Sequence, residues 1–502
     1  MTPGEGQDTN RGRHIVRGLG SLTIQNVLNA ALGLVLLASL VRFLPSTDYG
    51  AYSSVQVSVG IAGVVSTFGL GAAAVRFLAP SSLQEGGEGW GAAKAALNLT
   101  IALAAVVSAV LATTAPYLSD YFLKGPSEAW VFYLGAVWLF ASSVAVPVQG
   151  MLQGMRRYAL LAKILLGSRV VSVAIAVAGV VFYQSLAVAI ASLAVFSLLV
   201  VLAASRVVLS PLRRASPKSH YSAVVRYAFP LGLAGLVTAV AGNADIVVVG
   251  GYLNPGSLAI YNATVQISSV LSAFFVVPLV TTLFAETSLS AESEHEIRTG
   301  SSLALRFSLV TLLPASLLAA AMAPQLFGLF SGGGSYNQGI PYLELITVFY
   351  LFTAVQAIAF SILQGVSRTR QVLVVGAVTA VGEVALSASL VPGFGLAGAA
   401  YSRVAMFVVG CSLSLYYVRR YLPPPNYSFL VRALAGSAAP ALVIYALSFL
   451  VTNRVITLIP YTLLGLAIFL ATARILRLLT PEDRSYLSQL LPARLQWVSR
   501  LI

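Results

Sequence analysis

The sequence predicts an all-α, polytopic membrane protein. About fourteen transmembrane helices form two parallel six-helix lobes around a central cavity, with two extra helices at the C-terminal end. Three observations predict this. Of 502 residues, 58% are hydrophobic and 9% charged, and the mean hydropathy is +0.87. A soluble domain is about 45–50% apolar and about 25% charged. Apolar runs of the roughly 20 residues that a bilayer requires recur along the chain. Similar short segments also recur at a spacing near 210 residues. A soluble enzyme, a disordered chain and a coiled coil are excluded.

In order, the first six spans are read at 20–43, 50–76, 91–116, 129–152, 159–183 and 185–207, after a cytoplasmic segment 1–19. They make the first lobe, 20–207. A basic cytoplasmic linker, 208–227, contains Ser210-Pro211 and Ser216-Pro217, consistent with a non-helical connection. The second lobe, 228–418, holds spans 228–252, 257–285, 302–328, 341–364, 371–391 and 395–418. Spans thirteen and fourteen, 431–452 and 456–476, lie beyond it. The breaks carry turn chemistry, as in Pro45-Ser46-Thr47-Asp48 and Asn254-Pro255-Gly256. The tail 480–502 starts with Thr480-Pro481-Glu482-Asp483, good helix-initiating chemistry, and reads as an interfacial amphipathic helix broken at Pro492. No cleavable signal pattern is found at the N-terminus.

Charge sets the expected direction. The chain has 30 Lys and Arg against 16 Asp and Glu, a net +14. With the N-terminus inside, inner segments collect twenty-one basic residues, and the outer side only Arg42, Lys124 and Arg454. Positive charge concentrates on the cytoplasmic side of membrane proteins. Both termini are therefore expected in the cytoplasm and the protein in the cell membrane. The basic excess reads as topology and contact with membrane lipids, not nucleic acid. The single cysteine, Cys411, allows no disulfide framework.

The repeat is read from three alignments. Leu152-Gln153-Gly154-Met155-Arg156-Arg157 resembles Leu363-Gln364-Gly365-Val366-Ser367-Arg368 at an offset of 211. Leu44 through Tyr52 aligns with Leu253 through Tyr261 at 209, and Ser185-Leu186-Ala187 with Gly395-Leu396-Ala397 at 210. A shift of six helices preserves orientation, so the halves are parallel repeats about an axis along the membrane normal. Rocking of two lobes around a cavity is the mechanism this implies.

Several of these segments also carry a family likeness. Leu44-Pro45-Ser46-Thr47-Asp48-Tyr49-Gly50-Ala51-Tyr52, Phe68-Gly69-Leu70-Gly71, Asn243-Ala244-Asp245 through Leu253, Ala259-Ile260-Tyr261-Asn262 and the two Leu-Gln-Gly segments resemble the multidrug/oligosaccharidyl-lipid/polysaccharide exporter superfamily. Within it the chain looks like the polysaccharide-transporter, O-antigen-type flippases, over residues 15–418. The two additional spans depart from the common twelve-helix pattern and resemble fourteen-helix relatives, the lipid II flippases among them. The resemblance implies a flippase that carries polyprenyl-linked oligosaccharide from the inner to the outer leaflet by alternating access, for cell-surface polysaccharide or glycoprotein assembly. It implies a polyprenyl-phosphate-linked saccharide as partner, glycosyltransferases or polymerases of the same pathway as neighbours, and no cofactor.

Ionisable residues inside spans are costly and mark functional positions. Arg169 lies near mid-membrane in span five, and Glu383 is its rough counterpart in span eleven. The two read either as a lobe-bridging ion pair or substrate and proton pair, or as structural pairing inside one lobe. Asp245 in span seven reads as a cation-coupling carboxylate or as a partner for Arg403 in span twelve. Lys163, Lys94 and Arg306 lie near the cytoplasmic edge, where they either snorkel or contact phosphate. Asn26 and Asn29 in span one, with Gln25, and Asn243 in span seven are candidate sugar contacts. Their bland alternative is hydrogen bonding between helices.

Other motifs carry no chemistry. Gly69-Leu70-Gly71-Ala72-Ala73-Ala74 imitates a dinucleotide fingerprint but lies inside a membrane run. His14, His220 and His295 lack metal spacing, so no metal site is expected. The competing function is a cation-coupled multidrug exporter of the same superfamily. Against it, the in-span charges are mostly cationic: Lys94, Lys163, Arg169, Arg306 and Arg403 face only Asp245 and Glu383. An enzyme would want a large outer loop with paired carboxylates, and the sequence offers none.

Overall fold

The computed structural model describes residues 25–79, 88–277, 280, 294–331, 334–366, 368–422, 426–448 and 455–478. These are helical apart from short turns and connections, and among them no strand occurs. Among the described residues, twelve helices are long and apolar enough to cross a membrane, and a bent pair makes thirteen. The one remaining expected span, the eighth at 257–285, begins as helix Pro255–Leu271 with a π-helical turn at Ser272–Val276, and its end lies outside the described residues. The tail 480–502 and the segment 1–24 lie outside them as well.

The chain separates into two compact units, 1–262 and 263–502. The sequence reading puts the division at the linker, with span seven in the second lobe; in the structure span seven packs in the first unit. That unit contains α1 (Gln25–Phe43), α2 (Ser46–Thr67), α3 (Leu70–Leu78), α4 (Glu88–Thr113) and α5 (Ala115–Leu123). α6 (Trp130–Gly154), α7 (Tyr158–Tyr183), α8 (Leu186–Arg214) and α9 (Tyr221–Tyr252) follow, and α10 (Pro255–Leu271) begins there.

Span two is not the single helix that 50–76 suggests. It breaks at Phe68-Gly69, and α2 and α3 bend by 44°. Both break residues have positive φ, 31° and 76°. Gly69 also has no room for a side chain, since a Cβ would meet the Ala228 carbonyl oxygen at 2.5 Å. Phe68 packs edge-on to Phe229 at 5.6 Å, so the bend is seated on α9 beside Pro230.

The linker is likewise shorter than 208–227. α8 continues to Arg214 with Pro211 inside it, and α9 starts at Tyr221. Proline interrupts one helical hydrogen bond but does not end this helix. The remaining turn is pinned to α4: Lys94 Nζ donates to the Ala215 carbonyl at 2.9 Å, and Asn98 Nδ2 donates to Tyr221 Oη at 3.1 Å. Lys94 thus closes the end of α8. On the opposite face, α5 occupies what reads as an outer loop. Lys124 at its end donates to the carbonyls of Tyr121 (2.8 Å), Gly250 (3.2 Å) and Gly251 (2.5 Å) and so caps α9. Burial holds its pKa below the ordinary lysine range, against the pull of Asp120.

Small residues build the core of this unit. Ala73, Ala74, Ala93, Ala96 and Ala204 are fully buried among Leu78, Met151 and Leu152. Between membrane helices such residues allow the close approach from which dispersion attraction comes.

The second unit contains α11 (Glu294–Ala321), α12 (Ala323–Ser331), α13 (Ile340–Val348), α14 (Tyr350–Gly365), α15 (Thr369–Phe394) and α16 (Leu396–Val418). The two helices outside the repeat, α17 (Tyr427–Ser448) and α18 (Leu458–Ile475), pack on α11. There Val310 and Leu313 meet Phe429, Ala433 and Phe469, and Ala321 and Met322 meet Ile444 and Tyr461.

Local backbone geometry repeats with the sequence. The Arg157 amide donates to the Leu152 carbonyl at 3.0 Å, and the Arg368 amide donates to the Leu363 carbonyl at 2.7 Å. This is the same helix-terminating bond at the offset of 211. Before the sixth span of each half comes a turn with positive φ, at Gln184 (47°) and at Gly395 (58°).

Candidate functional site: polar and charged residues inside the spans

In the first unit the candidates gather around α1 and α7. Arg169 is the twelfth of the 26 residues of α7, at mid-helix. Its guanidinium reaches α1, with Nη2 3.8 Å from where a Gly33 Cβ would stand. Asn26 and Asn29 precede Gly33 by seven and four residues, so all three lie on one stripe of α1. Asn29 is half-buried and Asn26 exposed. The Phe196 ring lies 5.9 Å from the guanidinium carbon, and the buried Tyr52 is its electrostatic neighbour. Arg169 Nε is buried with no hydrogen-bond partner, and among the described residues of this unit no acid is paired with it. Lys163, six residues earlier, is exposed.

Asp245 is fully buried in α9. Its Oδ1 accepts from the Ile246 amide at 2.9 Å, and its Oδ2 accepts from the hydroxyl of Tyr261, which is also fully buried. Asn243 is half-buried, and its amide group donates back to the Ala239 carbonyl at 2.9 Å. That bond uses one of its two N–H groups within its own helix and leaves its oxygen available.

Asp245 and Tyr261 make a checkable pair. Tyr261→Phe removes a buried donor from a buried carboxylate, which costs about 1–3 kcal/mol. The thermal unfolding midpoint of the purified protein is expected to fall. An unchanged midpoint would show that the carboxylate draws no support from the phenol.

In the second unit Glu383 is the fifteenth of the 26 residues of α15 and 4% exposed. Arg403 is half-buried in α16. Arg306 lies with its guanidinium carbon 5.1 Å from the Phe429 ring of α17, a cation–π contact with the first added helix.

The sequence reading passed over Tyr52 and Tyr261 as site residues. Their signal was present: they are equivalent positions of the repeat, 209 apart, and each stands beside an ionisable residue.

Two family comparisons bear on these positions. Residues 15–284 match the polysaccharide biosynthesis protein family. The chain belongs to that family. Residues 230–389 of this polysaccharide biosynthesis protein also match the MatE family. Among solved structures it is similar to the lipid II flippase MurJ in an inward closed conformation, with a TM-score of 0.73 and 14% identity over 90% of this chain and 97% of that one. It is also similar to an inward-facing multidrug resistance MATE family transporter of the MOP superfamily, with a TM-score of 0.59 and 17% identity over 79% and 94%. A third is a MOP superfamily transporter from Pyrococcus furiosus described as having a binding pocket of reversed polarity, with a TM-score of 0.53 and 15% identity over 80% and 96%. No curated protein matches the sequence significantly. The fold is that of these MOP superfamily transporters and of the flippase, and the protein is a multi-pass membrane protein.

Proposed function

We propose that this polysaccharide biosynthesis protein is a flippase. It carries a polyprenyl-linked oligosaccharide from the inner to the outer leaflet by alternating access, with both termini in the cytoplasm. One observation carries the reading: Arg169 lies at mid-helix in α7, without an acidic partner among the described residues of its unit, and reaches the stripe of α1 that carries Asn26 and Asn29. A phosphate linkage would satisfy the guanidinium, and carboxamides match sugar hydroxyls, donating and accepting. Moving such a headgroup through a bilayer requires this polar lining, because unpaired charge in hydrocarbon is costly. Lys163 and Asn243 in the first unit and Arg306 and Arg403 in the second are further candidate substrate contacts, and Asp245 and Glu383 are the candidate coupling or ion-pairing acids.

The match of residues 230–389 to the MatE family favours a second reading, a cation-coupled exporter of drugs. A leaflet-turnover assay separates the two. A fluorescent short-chain polyprenyl-pyrophosphoryl saccharide is placed in both leaflets of proteoliposomes and probed with an outside-only reagent. Turnover above empty liposomes is expected. Its absence in folded protein, together with efflux of a cationic dye against a sodium or proton gradient, would establish the exporter instead.

A further inference from the structure

Helices α3, α6 and α9 border a cavity of about 620 Å³ that uses none of the candidate site residues above. Arg76, Gln149, Gln153 and Tyr227 line it, with Gly71 and Gly150 where α3 and α6 meet. Those glycines set a close approach: a Cβ at Gly150 would meet the Gly71 carbonyl oxygen at 2.5 Å, and one at Gly71 would meet Val146 Cγ1 at 2.5 Å. The cavity is therefore a built feature of the helix packing.

Its cation is held by an aromatic ring, and its hydrogen-bonding groups are unspent. The Arg76 guanidinium carbon lies 4.9 Å from the Tyr227 ring centre, and Phe77 meets the same ring edge-on at 5.9 Å. Stacking holds the guanidinium plane and leaves its N–H fork available. Gln149 and Gln153 stand one turn apart on α6. No side chain of Arg76, Gln149 or Gln153 makes a hydrogen bond or ion pair among the described residues, and no acid lines the cavity.

One cation and two carboxamides around this volume suit a phosphate joined to a sugar or polyol. The guanidinium takes the phosphate in a forked pair. The carboxamides take hydroxyls, and the volume falls within the range of about 300–1,000 Å³ for small-molecule sites. Arg76 is near the end of span two, Gln153 near the end of span four and Tyr227 near the start of span seven. All three fall on the face from which the chain enters the membrane. The second half lacks an equivalent: offsets of 209–211 put Ala285, Glu286 or Thr287 at the position of Arg76, and Phe360 at that of Gln149.

The geometry points to this cavity as the loading site for the phosphoryl-saccharide end of the substrate. It acts on the face where substrate is taken up, before the headgroup reaches Arg169. This rests on the flippase reading. The polyol phosphate of an anionic phospholipid shares the chemistry, so the test carries both.

Binding is measured on full-length protein with farnesyl-pyrophosphoryl-N-acetylglucosamine, alone and against phosphatidylglycerol, and leaflet turnover of the same probe is followed in parallel. R76Q is expected to raise Kd at least tenfold, Q149L three- to tenfold, and R76K to fall between wild type and R76Q. Arg76 is exposed, so the unfolding midpoint should hold; should R76Q not fold, Q149L carries the test. A Kd in R76Q and Q149L equal to wild type overturns the proposal, as does a wild type that does not bind the probe. Complete displacement by an equal concentration of phosphatidylglycerol also overturns it, giving the cavity to bilayer lipid. Loss of binding in R76Q while wild type shows no turnover supports the cavity and counts against the flippase instead.

Discussion

Replacing Arg169 with leucine is expected to reduce leaflet turnover at least tenfold while leaving thermal stability unchanged or raised. The two halves of that result come from one fact. A guanidinium inside a membrane helix costs several kcal/mol unless an anion or several acceptors compensate it. Arg169 leaves its buried Nε unsatisfied and has Phe196, Tyr52 and the Gly33 backbone as its neighbours. Leucine would remove that cost and fill the space with apolar contact. A phosphate passing the site would lose its charge-assisted hydrogen bonds, each worth about 1.5–3 kcal/mol, or more than tenfold in rate per bond when felt in the rate-limiting state. Arg169→Lys should recover part of the activity, because it restores the charge without the fork. A structural role predicts the reverse pattern: a lowered unfolding midpoint, with turnover per folded molecule close to wild type. The two measurements, taken on the same preparation, separate these roles.

The fold was legible because the bilayer imposes it. Length and apolarity alone place most spans within a few residues of the helices, and the repeat offsets coincide with equivalent helix ends at Leu152–Arg157 and Leu363–Arg368. The sequence was less informative where packing decides. The break at Phe68-Gly69 is invisible to hydropathy, since the run stays apolar and only the seat on α9 explains the bend. Pro211 reads as a helix end but lies inside α8, whose terminus is held by Lys94 from another helix. At the site, in-span charge was enough to find Arg169, Asp245 and Glu383, because hydrocarbon makes every such residue conspicuous. Tyr52 and Tyr261 were not conspicuous, because tyrosine is ordinary in an apolar run. Arg76 reads as the edge of a span until α6 and α9 bring Gln149, Gln153 and Tyr227 beside it.

Gly50→Ala is expected to be among the most damaging single-methyl additions in the first unit. Gly50 lies in the first turns of α2, in the segment whose repeat counterpart starts α10. An alanine Cβ there would stand 2.1 Å from the Pro255 carbonyl oxygen and 2.7 Å from its carbon. The obstacle is backbone, so no rotamer relieves it. The start of α10 cannot easily yield, because the Asn254 side chain accepts from the Ser257 amide at 2.8 Å and Tyr261 is tied to Asp245. Overpacking of this kind costs about 1–3 kcal/mol, and more where backbone must move. The expected result is a clearly lowered unfolding midpoint and a reduced yield of monodisperse protein. Gly60→Ala is the matched control in the same helix, since nothing lies within 4 Å of its added methyl. Helix propensity there favours alanine by about 1 kcal/mol, so its midpoint should hold or rise. Equal effects from the two substitutions would mean that α2 and α10 do not meet at Gly50. Opposite signs would tie the Pro-Ser-Thr-Asp-Tyr-Gly segment to a contact between the equivalent starts of the two repeats, a reason for glycine that neither turn chemistry nor hydropathy supplies.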